Sequence, residues 1–389
     1  MAMKNNIVGA SESPTRKRAL NIELLRIIAI FLITLNHINT YCDVKHIDAP
    51  IIANTFLSLF FGVGGKFGCN IFLIISSFYL TNKDIKLESI LKILLQTLFY
   101  LLALDVNYLI VGGNISLGKL GQQMIRVFTG ADYWYSFSYI GLLIMIPVLK
   151  MIIDRIRNPL LILSVIGLFL SIIPTFTVEY LTIGRGIHVI FYYAMKSSLI
   201  WFWYVFGVIY FCRTIYKKFS RKKSLWLALF FANYLIMFAV SSYGFVSKLG
   251  NGDIYYKWIR DISSLFCILA AVSLFMFFQN IHINWKFINF ISPCVYGIYL
   301  LQCHPLMRNY IFNLVPFSKI SAESWLYLPI SCLFAIAVIF VGCIIEYPRK
   351  RLEELLFGNK GIKNLMRQLN AGLSRLYISI ERMIIVRKK

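Results

Sequence analysis

The chain enters its first long apolar segment at residues 19–38, which read ALNIELLRIIAIFLITLNHI. About 20 such residues allow an α-helix to cross the hydrocarbon core of a bilayer, so this segment predicts a membrane span. Two of its side chains, Arg26 and His37, are unusual in such a position. An arginine near the centre of a membrane helix costs roughly 2.5–3.5 kcal/mol on insertion scales, so we interpret both residues first as functional candidates.

Arg26 and His37 are predicted to project from one face of this helix. They lie eleven positions apart, which at about 100° per residue is three turns and about 20°, with about 16 Å between them along the axis. Glu23 lies three residues before Arg26 on the same face and can pair with it. The structural alternative is an arginine that snorkels to the surface at one helix end and a histidine that caps the other.

The composition predicts the fold class of the whole chain. Apolar residues make up 59% and charged residues 15%, and the mean hydropathy is +0.70, whereas soluble domains are about 45–50% apolar and about 25% charged. We predict an all-α, polytopic integral membrane protein with about ten transmembrane helices. Its domains are a leader at 1–18, a transmembrane domain at 19–347 and a basic tail at 348–389.

The predicted spans follow the apolar runs of the chain. They are approximately 20–38, 54–80, 90–111, 134–153, 159–176, 189–211, 224–242, 261–279, 288–312 and 326–346. Gly62, Gly64 and Gly65 could break the second span, and Pro305 is expected to interrupt the ninth. The tail carries apolar residues at helical spacing, which fits a helix on the anionic inner leaflet, a helix packed on the domain, or a frayed one.

Loops rich in Lys and Arg alternate with sparser loops along the chain. The rich set holds 16–18, Lys83, Lys86, Lys150, Arg155, Arg157, 213–223, Lys286 and the tail. The sparse set holds Lys45, Lys119, Arg126, Arg185, Lys248, Lys257 and Lys319. By the positive-inside rule both termini are predicted to be cytoplasmic, with Arg26 toward the inner and His37 toward the outer side of the cell membrane. The net charge of +23 is spread over these loops, which fits contact with membrane lipids and argues against a nucleic-acid partner.

The eight cysteines give no sign of a metal or redox site. They are scattered, mostly within apolar runs, without a CxxC pair or a Cys/His zinc spacing. We interpret them as core residues and expect no metal.

Two histidines are the main candidates for chemistry. His37 is predicted to be a general base, because an imidazole with an ordinary pKa of about 6.5 can take a proton at neutral pH. Arg26 keeps its proton, so its role would be to grip a phosphate or to stabilise an oxyanion. His304 precedes Pro305, and such helix breaks in membranes often line a cavity. His304 would be a second acid or base or a substrate contact, or else a histidine satisfied by the neighbouring backbone.

Several other residues have a functional and a structural interpretation. Arg185 and His188 fit an acceptor site or an interfacial anchor. Asp105, in the middle of the third span, requires a polar partner, and a hydrogen bond to a neighbouring helix is the structural alternative to a catalytic role. The aromatic group Tyr133, Trp134, Tyr135 and Tyr139 fits an interfacial belt or a stacking surface for sugar rings. Lys83, Arg155 and their basic neighbours could contact donor phosphates, or could reflect the inside-positive bias alone.

Four motifs in order resemble one family. They are Arg26, ten residues and His37 with Glu23 three residues earlier; NIFLIISSFYL at 70–80; YWYSFSYIG at 133–141 with Pro147; and YGIYLLQCHP at 296–305. The chain resembles the membrane acyltransferase-3 family over about residues 20–347, although Ser77 stands where that family usually has Gly. We find no serine-hydrolase-like segment after the last span in this sequence, so we expect no relay through such a domain.

The resemblance implies transfer of an acyl group, usually acetyl, from cytoplasmic acetyl-CoA to a sugar hydroxyl of an exopolysaccharide, a capsule or its lipid-linked precursor. A thioester on a long flexible arm suits the separation of Arg26 and His37. In this interpretation His37 deprotonates the acceptor or carries the acyl group, and Arg26 orients the donor with Glu23 holding its guanidinium. Donor contacts are assigned to Arg26, Lys83 and Arg155. Acceptor contacts are assigned to His304, Tyr139, Trp134 and Arg185.

Two further expectations complete the sequence interpretation. His37 and His304 are expected to border one cavity that also reaches Arg26. The alternative function is a transporter or flippase of a lipid-linked sugar, which would more typically show paired repeats with matching broken helices; we find no such repeat in the sequence.

Overall fold

A computed structural model describes residues 19–42, 44, 48–129, 132–173, 198–216, 222–247 and 259–386. Within these ranges the chain is all-helical, which confirms the predicted fold class. In chain order the α-helices are α1 (Leu20–Tyr41), α2 (Ile52–Leu80), α3 (Leu87–Ile110), α4 (Leu117–Thr129), α5 (Trp134–Arg155), α6 (Pro159–Gly167), α7 (Ser198–Phe211), α8 (Lys223–Val246), α9 (Leu265–Gln279), α10 (Ile288–Ile291), α11 (Val295–Cys303), α12 (Met307–Phe312), α13 (Phe317–Glu323), α14 (Tyr327–Gly358) and α15 (Lys360–Val386). Short π-helical turns continue α6 and α7, and a 3-10 turn, Ser292–Cys294, joins α10 to α11.

Six of the described helices are long and apolar enough to cross a membrane: α1, α2, α3, α5, α8 and α14. Shorter apolar helices occupy Pro159–Ile172, Ser198–Thr214, Leu265–Gln279 and Ile288–Cys303. A helix suits an apolar environment because all of its interior backbone hydrogen bonds are made within the segment. Every predicted run overlaps one of these helices, while the count of ten crossings and the cytoplasmic termini stay predictions.

The second helix lies at the centre of the bundle and packs along α1. It is continuous from Ile52 to Leu80, so the break considered at Gly62, Gly64 and Gly65 is wrong. The glycines of α2 serve close packing instead, because a Cβ on Gly68 would lie 2.8 Å from the backbone oxygen of Ala29. Helices approach closely in membranes where small residues occupy the contact.

The ninth run is interrupted as predicted. Helix α11 ends at Cys303, the backbone of His304 is extended, and α12 begins only at Met307. Pro305 lies within the break, where its missing N–H would cost a hydrogen bond inside a continuous helix. The chain therefore turns at His304 while still inside the bundle, because this histidine is fully buried.

The two ends of α1 define two ends of the bundle. At the Arg26 end, Asn21 donates to the carbonyls of Phe278 and Ile281, which ties α1 to the end of α9. At the His37 end, Asn54 donates to the carbonyl oxygens of Ser321 and Ser324 and so ties α2 to α13. These anchors position the two functional candidates of α1 at opposite ends of one packed core.

The C-terminal helix α15 packs on the domain at the Arg26 end. The side-chain oxygen of Asn370 accepts the N–H of Leu87, the first residue of α3, at 2.7 Å. The hydroxyl of Tyr377 donates to the carbonyl of Ile144 in α5 at 2.7 Å. Of the three alternatives for the tail, the structure shows a helix packed on the domain.

Candidate active site

Arg26 and Glu23 form the predicted pair on the first turns of α1. The Arg26 Nη1 atom lies 3.4 Å from both carboxylate oxygens of Glu23. Glu23 is buried, whereas the Arg26 side chain is 27% exposed. A separation of 3.4 Å is at the long end for a charge-assisted hydrogen bond. The guanidinium is therefore held in place and still presents donors to the space beside it.

That space is a cavity of about 420 Å³, which we call the Arg26 cavity. Side chains of α1, α2, α3, α5, α11 and α14 line it. Its volume falls within the range of about 300–1,000 Å³ that is usual for small-molecule sites. Four cations and two carboxylates line it, Arg26, Lys92, Arg349, Lys350, Glu346 and Glu353, so the lining carries net positive charge.

The Arg26 cavity extends along α1 toward His37. Ile33, seven residues after Arg26, also lines it, which places its deeper part about 10 Å along the helix. The deeper lining is apolar or aromatic and includes Phe72, Tyr135 and Tyr299. Ile33 precedes His37 by four residues, so the cavity ends about one helical turn before the imidazole.

His37 is held by one hydrogen bond that the sequence interpretation missed. Its Nδ1 atom lies 2.9 Å from Oε1 of Gln302, which is completely buried in α11. An amide oxygen only accepts hydrogen bonds, so Nδ1 donates and carries the proton of the neutral ring. The ring also contacts Tyr41 and the edge of Phe312, with centroid distances of 5.2 and 6.0 Å. Nε2 is then the nitrogen with a lone pair for a substrate proton.

His304 differs because both of its ring nitrogens are used by the fold. Nδ1 accepts the backbone N–H groups of Leu306 at 3.3 Å and Met307 at 3.1 Å, across the break before α12. Nε2 lies 3.2 Å from the carbonyl of Leu101 and 3.3 Å from Oδ1 of Asp105. This geometry fits the structural interpretation of His304, and its assignment to the acceptor stays a prediction. The lining of the Arg26 cavity includes neither His37 nor His304, so this cavity is not the shared one that we expected.

Asp105 has the polar partners that its buried carboxylate requires. Besides His304, the amide nitrogen of Gln123 in α4 lies 3.0 and 3.1 Å from its carboxylate oxygens when that amide is oriented to donate. A buried carboxylate with donors on two sides needs no substrate to explain it. Asp105 therefore serves to hold α4 and the α11–α12 break against α3.

The predicted aromatic contacts are separated by the fold. Tyr139 lines the Arg26 cavity and stacks on Tyr135, with ring centroids 6.2 Å apart. Trp134 instead lies beneath the ammonium group of Lys66, 4.0 Å from the ring centroid. Tyr139 thus lies beside the same cavity as Arg26, whereas the sequence assigned it to the acceptor.

Of the other predicted contacts that the structure describes, neither Lys83 nor Arg155 lines the Arg26 cavity. Lys83 is exposed between α2 and α3, and its carbonyl accepts from the ammonium group of Lys150 at 3.0 Å. Arg155 is half-buried at the end of α5. Arg185 lies outside the described residues. The other cations that line the cavity lie on α3 and α14, and the sequence interpretation did not predict them.

Glu346 and Arg349 form a rigid polar group in the wall of the Arg26 cavity. Glu346 is fully buried and accepts from Gln96 at 3.0 Å and Tyr100 at 2.9 Å. Arg349 binds both of its oxygens, at 2.8 and 3.0 Å, and also Glu353 at 2.6 Å. Such a two-pronged pair fixes both side chains. In the sequence, this group is indicated by Glu346, an acidic residue at the end of the apolar run 326–346.

The described residues therefore form a helical membrane protein with a positively lined cavity beside its first helix. The model of the family described as an acyltransferase domain matches residues 20–346. The match covers more than half of the chain, so the protein belongs to the acyltransferase-3 family, as its four motifs predicted, and it is a membrane acyltransferase. No curated protein and no solved structure matches the chain.

Proposed function

We propose that this membrane acyltransferase is an O-acetyltransferase of the cell membrane. It would transfer an acetyl group from cytoplasmic acetyl-CoA to a sugar hydroxyl of an exopolysaccharide, a capsule or its lipid-linked precursor. The observation that carries the proposal is the course of the Arg26 cavity, from a cation at one end of α1 to within a turn of His37. A donor with phosphates at one end and a thioester on a flexible arm fits this course.

The donor would enter from the Arg26 end. Arg26 offers a planar, permanently charged donor group that suits phosphate or thioester oxygens. Glu23 holds the guanidinium through the pair at 3.4 Å. Arg349 is occupied by two carboxylates, so Arg26 is the arginine of the wall that is better placed to meet a donor's charge. Lys83 and Arg155 would act only at the entrance.

The reaction at His37 can be written with balanced atoms. Nε2 takes the proton of the sugar hydroxyl while the hydroxyl oxygen attacks the thioester carbon, the carbon–sulfur bond breaks, and the proton passes to the departing thiolate. In the second route, Nε2 attacks the thioester carbon, the carbon–sulfur bond breaks and CoA departs as its thiolate. The sugar hydroxyl oxygen then attacks the acetyl carbon, the bond from Nε2 to that carbon breaks, and the hydroxyl proton passes to the thiolate. Both routes need Nδ1 to hold the proton, which the Gln302 contact supports.

The side of the membrane follows from the loop charges. We propose that both termini and the Arg26 end are cytoplasmic, since the basic residues 213–223 and those after Arg349 belong to the rich set of loops. Reporter fusions at Lys389 and near Lys222 are expected to report a cytoplasmic location, and one near Asn251 an external location. An external signal at Lys389 would require an odd number of spans and would reverse the direction of transfer.

One experiment separates the proposed enzyme from a flippase of a lipid-linked sugar. Membranes that contain the chain are given acetyl-CoA labelled in its acetyl group together with a polysaccharide acceptor. We expect label in the glycan, and none with membranes that lack the chain. A flippase would move the acceptor and leave the glycan unlabelled. Comparison of the native glycan from cells with and without the chain then identifies the sugar and the acyl group.

A further inference from the structure

A second, smaller cavity lies beside the Arg26 cavity, where the C-terminal helix meets the start of α3. It has a volume of about 230 Å³, and we call it the tail pocket. Its cations are Lys86 of the α2–α3 loop and Lys363 and Arg367 of α15. Asn370 also lines it and, through its bond to the N–H of Leu87, fixes α15 against α3. The pocket is thus built partly from the tail, which lies beyond the matched family region.

The cations that line the tail pocket favour the binding of an anion. Lys363 and Arg367 are four residues apart on one helix, a spacing at which like charges destabilise the helix. Glu88 is the carboxylate in the lining, and it is engaged by Lys92 at 2.7 Å. Among the described residues, the ion pairs do not include Lys86, Lys363 or Arg367. A bound phosphate would relieve this repulsion.

Lys92 connects the tail pocket to the Arg26 cavity. It lines the Arg26 cavity, and its ammonium group lies 4.9 Å from the ring centroid of Phe357, which lines the tail pocket with Glu88. The same ammonium group lies 4.0 Å from Glu353 in the wall of the Arg26 cavity. Lys92 therefore contacts lining residues of both spaces, which lie next to each other along α3.

We infer that the tail pocket binds the phosphorylated nucleotide end of the acyl donor while the arm of the donor lies in the Arg26 cavity. The inference rests on the proposed function and adds to it a role for the C-terminal helix. From Lys86, just before α3, to Gln96 within it, the donor would follow ten residues of the chain, about 15 Å. This course would continue along α1 from Arg26 to Ile33. Phosphates at its outer end and a thioester near His37 match the two ends of one donor.

The test compares two donors on the full chain in bilayer discs of neutral lipid. One donor is acetyl-CoA, and the other is acetyl-pantetheine, which has the thioester and the arm but lacks the nucleotide and its phosphates. The measured quantity is the ratio of kcat/KM for acetyl-CoA to that for acetyl-pantetheine. We expect the double variant Lys363→Ala/Arg367→Ala to lower this ratio at least tenfold. The matched control is Arg375→Ala/Arg382→Ala, which removes two charges from the same helix outside the pocket and is expected to keep the ratio.

Each other outcome decides against the inference. An unchanged ratio in the Lys363→Ala/Arg367→Ala variant overturns it. An unchanged ratio together with weaker binding of the variant to vesicles that contain anionic phospholipid assigns the pocket to a lipid headgroup instead. If the Ala variant does not fold, Lys363→Gln/Arg367→Gln replaces it.

Direct binding separates a failure of this inference from a failure of the proposed function. Should the wild-type chain transfer acetyl from neither donor, the proposed function fails. Binding of free CoA and of CoA without its 3′-phosphate to the wild type and the variant still decides the inference. Equal affinity of both proteins for CoA would refute it, and at least tenfold weaker binding by the variant supports it.

Discussion

His37 and His304 both lie in the interior of the bundle, but the hydrogen bonds of their rings differ and predict different roles. Both nitrogens of His304 are bonded by the fold, to two backbone N–H groups on one side and to Leu101 and Asp105 on the other. Among the described residues, His37 is hydrogen-bonded through Nδ1, to Gln302. A buried polar group with all of its hydrogen bonds made stabilises a structure. A histidine with one ring nitrogen not bonded to the protein can exchange a proton with a substrate.

The two arginines that line the Arg26 cavity differ in the same way, because one has its hydrogen bonds made by the protein and the other does not. Arg349 is held by both oxygens of Glu346 and by Glu353. Arg26 has the longer contact with Glu23. The residues that are incompletely bonded, Arg26 and His37, lie on the same helix face, and the saturated ones lie on α14 and just after α11. This contrast is a stronger indicator of function than residue type, because a single sequence shows both histidines as equally unusual.

The largest loss of acetyl transfer is expected when the imidazole of His37, with its Nε2 atom, is removed. His37→Ala should lower the rate of acetyl transfer by about 10²–10⁴-fold through loss of the general base, and by more if His37 carries the acyl group. The amount of protein in the membrane should stay the same, because the side chain makes a single hydrogen bond within the part of the chain that the structure describes. Transfer of labelled acetyl to glycan measures the effect. His282→Ala, between α9 and α10, is the matched control, and near-normal transfer by His37→Ala would refute the assignment.

The next effect is expected at the incompletely bonded arginine. Arg26→Lys keeps the charge but loses the planar fork, so transfer should fall by about 10²–10³-fold, the loss typical for one group that stabilises an oxyanion. Arg351→Lys, an exposed residue of α14 paired with Glu354, should transfer at the wild-type rate. If the Arg26→Lys variant transfers as well as the wild type, Arg26 acts by charge alone and its contrast with Arg349 has no catalytic meaning.

Much of this architecture was open to prediction from the sequence. Composition and apolar runs predicted an all-helical membrane protein, and the spacing of Glu23 and Arg26 predicted their pair, because helix periodicity alone determines which residues three apart meet. Pro305 predicted the break after Cys303, because proline lacks the N–H that a continuous helix would use. The break considered at Gly62, Gly64 and Gly65 was wrong, since a glycine in a membrane helix serves packing as readily as bending.

The rest of the site depends on contacts between distant segments. Gln302 meets His37 from 265 positions away, and Lys92 and Arg349 reach the Arg26 cavity from helices far apart in the chain. No local pattern indicates which cations share one cavity, so Lys83 and Arg155 were chosen by the charge of their loops. The tail pocket needs α15 packed against α3, and the helical period of the tail does not show that Asn370 meets Leu87, 283 positions away.

A smaller effect is expected at Gln302, which acts through His37. Gln302→Met keeps the length of the side chain and removes the acceptor oxygen, so Nδ1 loses its partner and the neutral ring can place its proton on either nitrogen. We expect kcat to fall about tenfold, by analogy with partners that orient a functional histidine. KM for acetyl-CoA should change little, because Gln302 does not line the Arg26 cavity. A rise in KM with unchanged kcat would assign Gln302 to donor binding.

The smallest effect on chemistry is expected at His304, where the contrast with His37 is tested most directly. His304→Ala leaves the N–H groups of Leu306 and Met307 without their buried acceptor, at a cost of about 1–3 kcal/mol for each unsatisfied group. Asp105 loses one of its two partners and keeps Gln123. The variant should therefore unfold at lower temperature and yield less folded protein in detergent, while kcat per folded molecule falls by less than that of Gln302→Met. Thermal unfolding and transfer kinetics on the same preparation separate the two quantities. A loss of kcat as large as that of His37→Ala, with unchanged thermal stability, would return His304 to the acceptor site. It would also show that a histidine with both nitrogens bonded in this structure is released during the reaction.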